Sequence, residues 1–273
     1  MKRLMSRIAA GIVFLLFGTS GFQNCDAVQI SDVPRLIDPD LRACANRTLP
    51  QHTMTQQLAV AVTDATTGTR ESSGTLKWKR FDDGFSKVLV RIDKSSAYAG
   101  VALLMVEREK REPDVFMYSR ELQQERRIVS SALAGPLLGT DFTYEDFAFL
   151  QHVMENGKIM RGPDIEVDGH PAYVIETTQD EDTSAYSRIR TVIDKAWCVP
   201  IKTEFFGPNG SVAKELNVER ADVEQIGERW VPRQMTMINH KSESRTVLKL
   251  TDIKFEPELG DNLFMPASLR LGH

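Results

Sequence analysis

The sequence predicts a mainly β protein built on one large antiparallel sheet with few helices. Three observations predict this. From about residue 55 onward, apolar and polar residues alternate with a period of two. Turn signals separate these segments at short intervals. Alternating helix and strand units, which give parallel sheets, do not occur. A twisted open sheet rarely exceeds about ten strands, so we expect this one to curl like a barrel around an apolar interior.

The strands follow each other closely along the chain. Residues 58–63 read as one strand, and residues 75–81 and 85–92 flank the hairpin signal Asp82-Asp83-Gly84. The last pair is 230–239 and 246–255. We predict about ten or eleven strands, with antiparallel neighbours because the connections are short.

The N-terminus has the pattern of a secretory signal peptide. The basic residues Lys2, Arg3 and Arg7 precede the apolar run 8–17. This run is shorter than the roughly 20 residues of a membrane span. Cleavage after residue 21 or after residue 27 fits, and an uncleaved anchor or a lipoprotein is the alternative. We therefore divide the chain into a signal peptide, a lead-in with short helices and a half-barrel domain, at 1–27, 28–54 and 55–273.

Charge and cysteine content narrow the function classes. The formal net charge is −4, and no dense basic run is present, so nucleic acid is not an expected partner. Lysines and arginines are spread along the strands, as on a solvated face. Removal of the signal would leave Cys44 and Cys198. They could form a disulfide in an oxidising compartment, or they could be two buried free thiols.

Three acids lie in an apolar stretch, LAGPLLGTDFTYEDFAFL, and raise the question of catalysis. Thr143 and Asp146 have the spacing of a capping box, with Thr143 as N-cap. Phe142 and Phe147 are placed for a hydrophobic staple. Helix initiation therefore accounts for Glu145 and Asp146, and Asp141 fits a turn before the helix. A hydrolase using these acids is the alternative.

We predict no catalytic residue, metal site or cofactor, because the sequence has no HExxH, no metal-spaced cysteine pairs, no GxSxG and no phosphate-binding glycine loop. Methionine and phenylalanine are abundant on the predicted strands and helix, and methionine suits a site for variable apolar ligands. Plain core packing is the alternative. The candidate lining residues are Met105, Phe116, Met117, Phe147, Leu150, Met154, Phe205, Met235 and Met237.

Several blocks resemble the outer-membrane lipoprotein-sorting protein family, the LolA-like exported proteins. They are GVALLMVE, VFMYSRELQQERRIVS, LLGTDFTYEDF, CVPIKTEFFGPNGSVAKEL, RWVPRQMTMINHKSESRTVLKL and LFMPASL, within residues 54–269. The resemblance implies a half-open barrel with helices at its mouth and a hydrophobic cavity for acyl chains. It also implies a non-enzymatic periplasmic carrier of lipid or lipoprotein, with the helix that begins near Thr143 as its lid. An inner-membrane exporter or an outer-membrane acceptor would be a further partner. The alternative is a sensor, or an accessory protein of an RND-type exporter.

Overall fold

The computed structural model describes residues 38–95, 97–109, 111–121, 123–151, 158–179 and 184–271. The predicted signal peptide lies outside these residues. Among the described residues there are two α-helices, α1 at Pro39–Thr48 and α2 at Tyr144–Leu150. The strands, in chain order, are β1 Thr53–Asp64, β2 Gly68–Arg80, β3 Ser86–Ser95, β4 Ala102–Val106, β5 Asp114–Ser119, β6 Gln124–Ile128, β7 Lys158–Arg161, β8 Ile165–Val167, β9 His170–Thr178, β10 Arg188–Asp194, β11 Pro200–Phe206, β12 Val212–Asn217, β13 Val223–Ile226, β14 Arg229–Pro232, β15 Gln234–Asn239 and β16 Ser244–Phe255.

Fourteen strands form one sheet in which every recorded pairing is antiparallel. Its order is β6-β5-β4-β3-β2-β1-β16-β15-β12-β11-β10-β9-β7, and β8 also pairs with β9. The end strands β6 and β7 do not pair with each other in the described part of the chain, so the sheet is an open half-barrel. This confirms the predicted fold class.

The predicted strand count is too low, because short or charged strands carry little alternation. β6 reads Gln-Glu-Arg-Arg-Ile and β7 reads Lys-Ile-Met-Arg, and both lie at sheet edges. Charged edge strands are a common device against edge-to-edge pairing, but they hide a strand from a search for apolar periodicity.

The predicted hairpin at Asp82-Asp83-Gly84 is confirmed. Gly84 closes the turn between β2 and β3 with φ +85°, and its N–H donates to the Phe81 carbonyl over 2.9 Å. Between β8 and β9, Asp168 and Gly169 both have positive φ, at +51° and +78°. A type I′ turn needs positive φ at both central residues, which explains the Asp-Gly pair.

One predicted strand, 230–239, is two strands in the structure. β14 leaves the large sheet and pairs only with β13 among the described strands, and β15 stays in the sheet between β12 and β16. Pro232 has no N–H to donate to a ladder, and the N–H of Arg233 donates to the Asp222 carbonyl over 2.7 Å instead. The chain therefore changes partner at this point.

The two faces of the sheet carry separate cores. On the outer face, the C-terminal 3-10 helices Asp261–Phe264 and Pro266–Arg270 cover Leu89, Leu104 and Val106. Arg91 fastens the second helix by donating to the Ser268 carbonyl over 2.7 Å. The inner face carries the larger core, which contains α2 and the segment before it.

Candidate functional site

The inner face of the half-barrel encloses an apolar cavity of about 440 Å³. This volume lies within the roughly 300–1,000 Å³ typical of small-ligand pockets. Alternate residues of the strands form its wall, as the period of a β-strand requires. The central wall residues are Met54, Gln56, Leu58 and Val60 from β1, Leu76 and Trp78 from β2, Val90 and Ile92 from β3, and Leu248, Leu250, Ile253 and Phe255 from β16.

The cavity wall has no ionisable side chain among the residues that the structure describes. Its polar members are threonines and glutamines, and its two cysteines are joined to each other. A charged group moved into such surroundings would lose its hydration without gaining a partner, which is very unfavourable. The cavity therefore suits uncharged, apolar matter.

Helix α1 covers part of the cavity and is held there covalently. Leu41 and Cys44 of α1 line the cavity, and Cys44 forms a disulfide with Cys198 in the loop between β10 and β11. At the start of α1, Asp38 accepts a hydrogen bond from the N–H of Asp40 over 2.9 Å and pairs with Arg161 of the edge strand β7. The helix is thus anchored at its start and at its middle.

The β13–β14 hairpin adds a second cover beside α1. Trp230 and Val231 of β14 line the cavity. The Trp230 ring stacks on the Trp197 ring with 5.1 Å between ring centroids. The Arg220 guanidinium lies 4.1 Å from the centroid of the Trp197 ring. Arg220 is paired in turn with buried Asp194. This stack attaches the hairpin to the loop that carries the disulfide.

Helix α2 lies on the inner face of the half-barrel, and its start has the predicted capping box. The Thr143 hydroxyl accepts from the Asp146 N–H over 2.9 Å, and the Asp146 carboxylate accepts from the Thr143 N–H over 2.8 Å. Phe142 and Phe147, the predicted staple residues, are both buried in the inner core and both line the cavity.

The three acids bind α2 and the turn before it to strands β12 and β16 and to the segment before β10. Asp146 accepts from the Tyr186 hydroxyl over 2.7 Å and from Lys214 Nζ over 2.9 Å. Asp141 accepts from the hydroxyl of Thr246 over 2.7 Å, and also from that of Ser244.

Glu145 reaches the segment before β10. It accepts from the N–H of Ala185 over 3.1 Å and from the Ser184 hydroxyl. Burial raises the pKa of Glu145, and these hydrogen bonds only partly offset that effect. Burial, together with the negative charge of Asp146, also raises the pKa of Tyr186. All three acids are buried and hydrogen-bonded to other residues of the protein. They therefore anchor α2 and the turn before it to the rest of the half-barrel.

The far end of α2 is also attached. The Trp78 indole N–H donates to the Gln151 carbonyl over 3.3 Å. Both ends of α2 therefore contact the sheet, and the helix forms a plug whose Phe147, Phe149 and Leu150 are part of the cavity wall.

The structure brings only some of the predicted lining residues to the cavity. Phe147, Leu150 and Met235 line it. Met105, Met117, Phe205 and Met237 pack in or against the inner core without lining the cavity, and Met105, Phe205 and Met237 are fully buried. Phe116 packs on the outer face against the C-terminal cover. Met154 lies outside the described residues.

The correction has a simple physical reason. Methionine and phenylalanine side chains fill the tightly packed space around α2, where the ring centroids of Phe205 and Tyr186 are 5.1 Å apart. The open wall is made mostly of leucine, isoleucine and valine. Phe116 points outward because it alternates with Val115, which is buried in the inner core. The signal that could have found the wall is the alternation Met54, Leu58, Val60 in β1.

The described residues contain no cluster of three or more His, Cys, Asp and Glu side chains that could hold a metal ion. No helix among them is both long and apolar enough for a membrane span.

Solved structures with this fold come from several bacteria. A domain named for outer-membrane lipoprotein sorting, from Vibrio parahaemolyticus, matches with a TM-score of 0.76 and 23% identity, covering 85% of this chain and 97% of that one. A DUF1329 family protein from Desulfovibrio piger matches with 0.77 and 20%, covering 84% and 96%. A LolA superfamily protein from Nitrosomonas europaea matches with 0.65 and 20%, covering 83% and 96%.

Sequence comparison gives the family. No curated protein sequence matches this chain. A family model described only as "Uncharacterized protein" matches residues 84–271, which is more than half of the chain. The three structural matches are below 25% identity, so they establish the fold alone. The chain therefore belongs to that family of uncharacterized proteins, and its fold is that of the LolA-like lipoprotein-sorting proteins.

Proposed function

We propose that this chain is a periplasmic, non-enzymatic carrier that holds an acyl chain of a lipid or lipoprotein in the half-barrel cavity. Its task would be outer-membrane lipoprotein sorting or lipid traffic. The observation that carries the proposal is the cavity itself, about 440 Å³ of apolar space without an ionisable group on the described wall.

The energetics of acyl burial favour such a role. Each buried methylene contributes roughly 0.8 kcal/mol. A chain of about 16 carbons would therefore gain on the order of 12 kcal/mol before the costs of ordering and association. A gain of that size is enough to keep an insoluble chain out of water during transfer.

Three further observations support the proposal, one against an enzyme and two in favour of a location outside the cytoplasm. The acids that raised the question of catalysis hold α2 against the sheet, and Asp146 is fully buried between Tyr186 and Lys214. The Cys44–Cys198 disulfide fits an oxidising compartment such as the periplasm. The apolar N-terminal run fits export to that compartment.

The test is native mass spectrometry of protein purified from envelope extract without detergent, followed by titration with a fluorescent fatty acyl probe. A matched pair of variants locates the site. Val60→Trp fills the cavity from β1. Val247→Trp adds the same bulk to the neighbouring strand β16, one residue away in register and on the outer face. Both valines are half-buried.

Under the proposal, the wild type and Val247→Trp carry a lipid mass and bind the probe, while Val60→Trp loses both. A wild type that is consistently ligand-free and ignores the probe would contradict the proposal. A stoichiometric protein partner in place of lipid would favour the sensor or exporter-accessory function.

A further inference from the structure

Strand β1 places one amide side chain in the apolar wall. Met54, Gln56, Leu58 and Val60 alternate along β1 and all line the cavity. Gln56 is only 7% exposed. Its immediate partner on β2 is Leu76, another wall residue. A glutamine at this position interrupts a strand face that is otherwise entirely apolar.

The side-chain amide of Gln56 makes no hydrogen bond to any other residue that the structure describes, whereas several threonines of the wall are paired. Thr203 donates to the Thr191 hydroxyl over 3.4 Å, and Thr140 donates to the Leu137 carbonyl over 2.7 Å. Most buried polar side chains in proteins have a partner. An amide that faces an apolar cavity without a partner gives up hydrogen bonds that it would make in water.

The position of Gln56 in the wall and its lack of a hydrogen-bond partner point to a ligand group that supplies this partner. We infer that the ligand of this cavity carries an uncharged ester or amide carbonyl, which accepts a hydrogen bond from the side-chain amide of Gln56. The inference rests on the proposed function and makes it more specific. It predicts an acylated molecule whose linkage enters the cavity, in preference to a free fatty acid or a pure hydrocarbon.

The same wall explains why a free carboxylate is disfavoured. A carboxylate beside Gln56 would meet no lysine, arginine or histidine on the described wall, and an unpaired buried charge is far more costly than a neutral carbonyl. An ester keeps the acceptor oxygen and removes the charge. The chemistry thus selects a neutral acyl derivative.

The experiment compares three probes of similar chain length: methyl palmitate, 1-hexadecene and palmitate. Each displaces a fluorescent dye from the full-length mature protein. The variant Gln56→Leu removes the amide and keeps the approximate volume. Gln57→Leu is the matched control, because it makes the same substitution at the next residue of β1, which is exposed and does not line the cavity.

We expect wild-type protein and Gln57→Leu to bind methyl palmitate more tightly than the other two probes. Gln56→Leu should weaken methyl palmitate binding about three- to tenfold, the value of one neutral hydrogen bond, and leave 1-hexadecene binding unchanged. Its melting temperature should stay equal or rise, because an unpaired amide has been removed. A fall in melting temperature, with all probes weakened alike, would overturn the inference in favour of a structural role.

The failure of this inference differs from the failure of the proposed function. If all three probes bind, but Gln56→Leu leaves the preference for methyl palmitate over 1-hexadecene unchanged, the cavity is an acyl site and Gln56 does not recognise the ligand. Water that satisfies the amide would give that result. If no probe binds wild-type protein, the carrier function itself is wrong.

Discussion

Lys214 Nζ lies 2.9 Å from Asp146 Oδ2 in the interior of the half-barrel. The aspartate side chain is completely buried, and the lysine side chain is 11% exposed. Lys214 comes from β12 and Asp146 from the first turn of α2. The pair therefore joins the plug helix to the sheet through two charges that are both withdrawn from water.

Removing one member of this pair should be strongly destabilising. Lys214→Met leaves the Asp146 carboxylate buried without its counter-charge, and the expected loss in free energy of unfolding is about 3–5 kcal/mol. Urea denaturation followed by circular dichroism measures it. The double variant Lys214→Met/Asp146→Asn should recover part of the loss, because no unpaired charge remains. A loss below about 1 kcal/mol for Lys214→Met would show that the pair contributes little.

The capping box gives a smaller and separable effect. Thr143→Ala removes the hydroxyl that accepts from the Asp146 N–H, and such changes cost about 1 kcal/mol. Thr143→Ser keeps the oxygen and should be close to wild type. Chemical denaturation of the two variants side by side checks this. Equal stability of Thr143→Ala and Thr143→Ser would argue against a contribution from the cap.

A second buried carboxylate, that of Asp114, should control stability in acid. Asp114 begins β5 and is surrounded by Arg108, Arg111 and Arg127. Burial favours its neutral form, but the hydrogen bonds from the three arginines outweigh burial and lower the pKa of Asp114 to about 2. A lowered pKa in the folded state stabilises the fold above the ordinary aspartate pKa of about 4.

Asp114→Asn should therefore lose at most about 2 kcal/mol of unfolding free energy at neutral pH. The difference between wild type and variant should narrow as the pH falls from about 4 toward 2, since the wild-type carboxylate then takes up its proton. Denaturation midpoints measured at several pH values test the sign. A gap that stays constant down to pH 2 would mean that the arginines do not act through the charge of Asp114.

Local sequence signals explain much of this fold. Gly84 and Gly169 mark turns that need positive φ, and Thr143 with Asp146 marks a helix start. These features depend on neighbouring residues. Pairings between distant residues were not predictable in the same way. Asp141 meets Thr246 across more than 100 residues, and which side chains face the cavity depends on such pairings.

Lys214 is the clearest case. It shares a strand face with Leu216, which lies in the inner core, but a lysine is rarely buried without a partner, and Asp146 of α2 supplies that partner. The cavity wall is a second feature that local sequence patterns do not predict. Leucine and valine in β1 look like ordinary core, and the space in front of them results from the curl of the whole sheet.

The disulfide should control how firmly α1 covers the cavity. Cys44 and Cys198 are 154 residues apart, and in the chain-entropy model a loop of that length contributes up to roughly 5 kcal/mol. The other described anchors of α1 include the Asp38–Arg161 pair and a hydrogen bond from Arg47 to the Ala196 carbonyl, both at least partly exposed to water. Partly exposed contacts of this kind contribute little.

The double variant Cys44→Ser/Cys198→Ser should therefore lose protection against hydrogen exchange first at the amides of α1, while the β1–β16 ladder stays protected. Hydrogen exchange followed by mass spectrometry separates the two regions. Reductant should reproduce the effect in wild type and add nothing in the double variant, which controls for other actions of the reagent. If α1 exchanges as slowly without the disulfide as with it, the helix is held by its apolar contacts with the cavity, since Leu41 is buried there and would remain so.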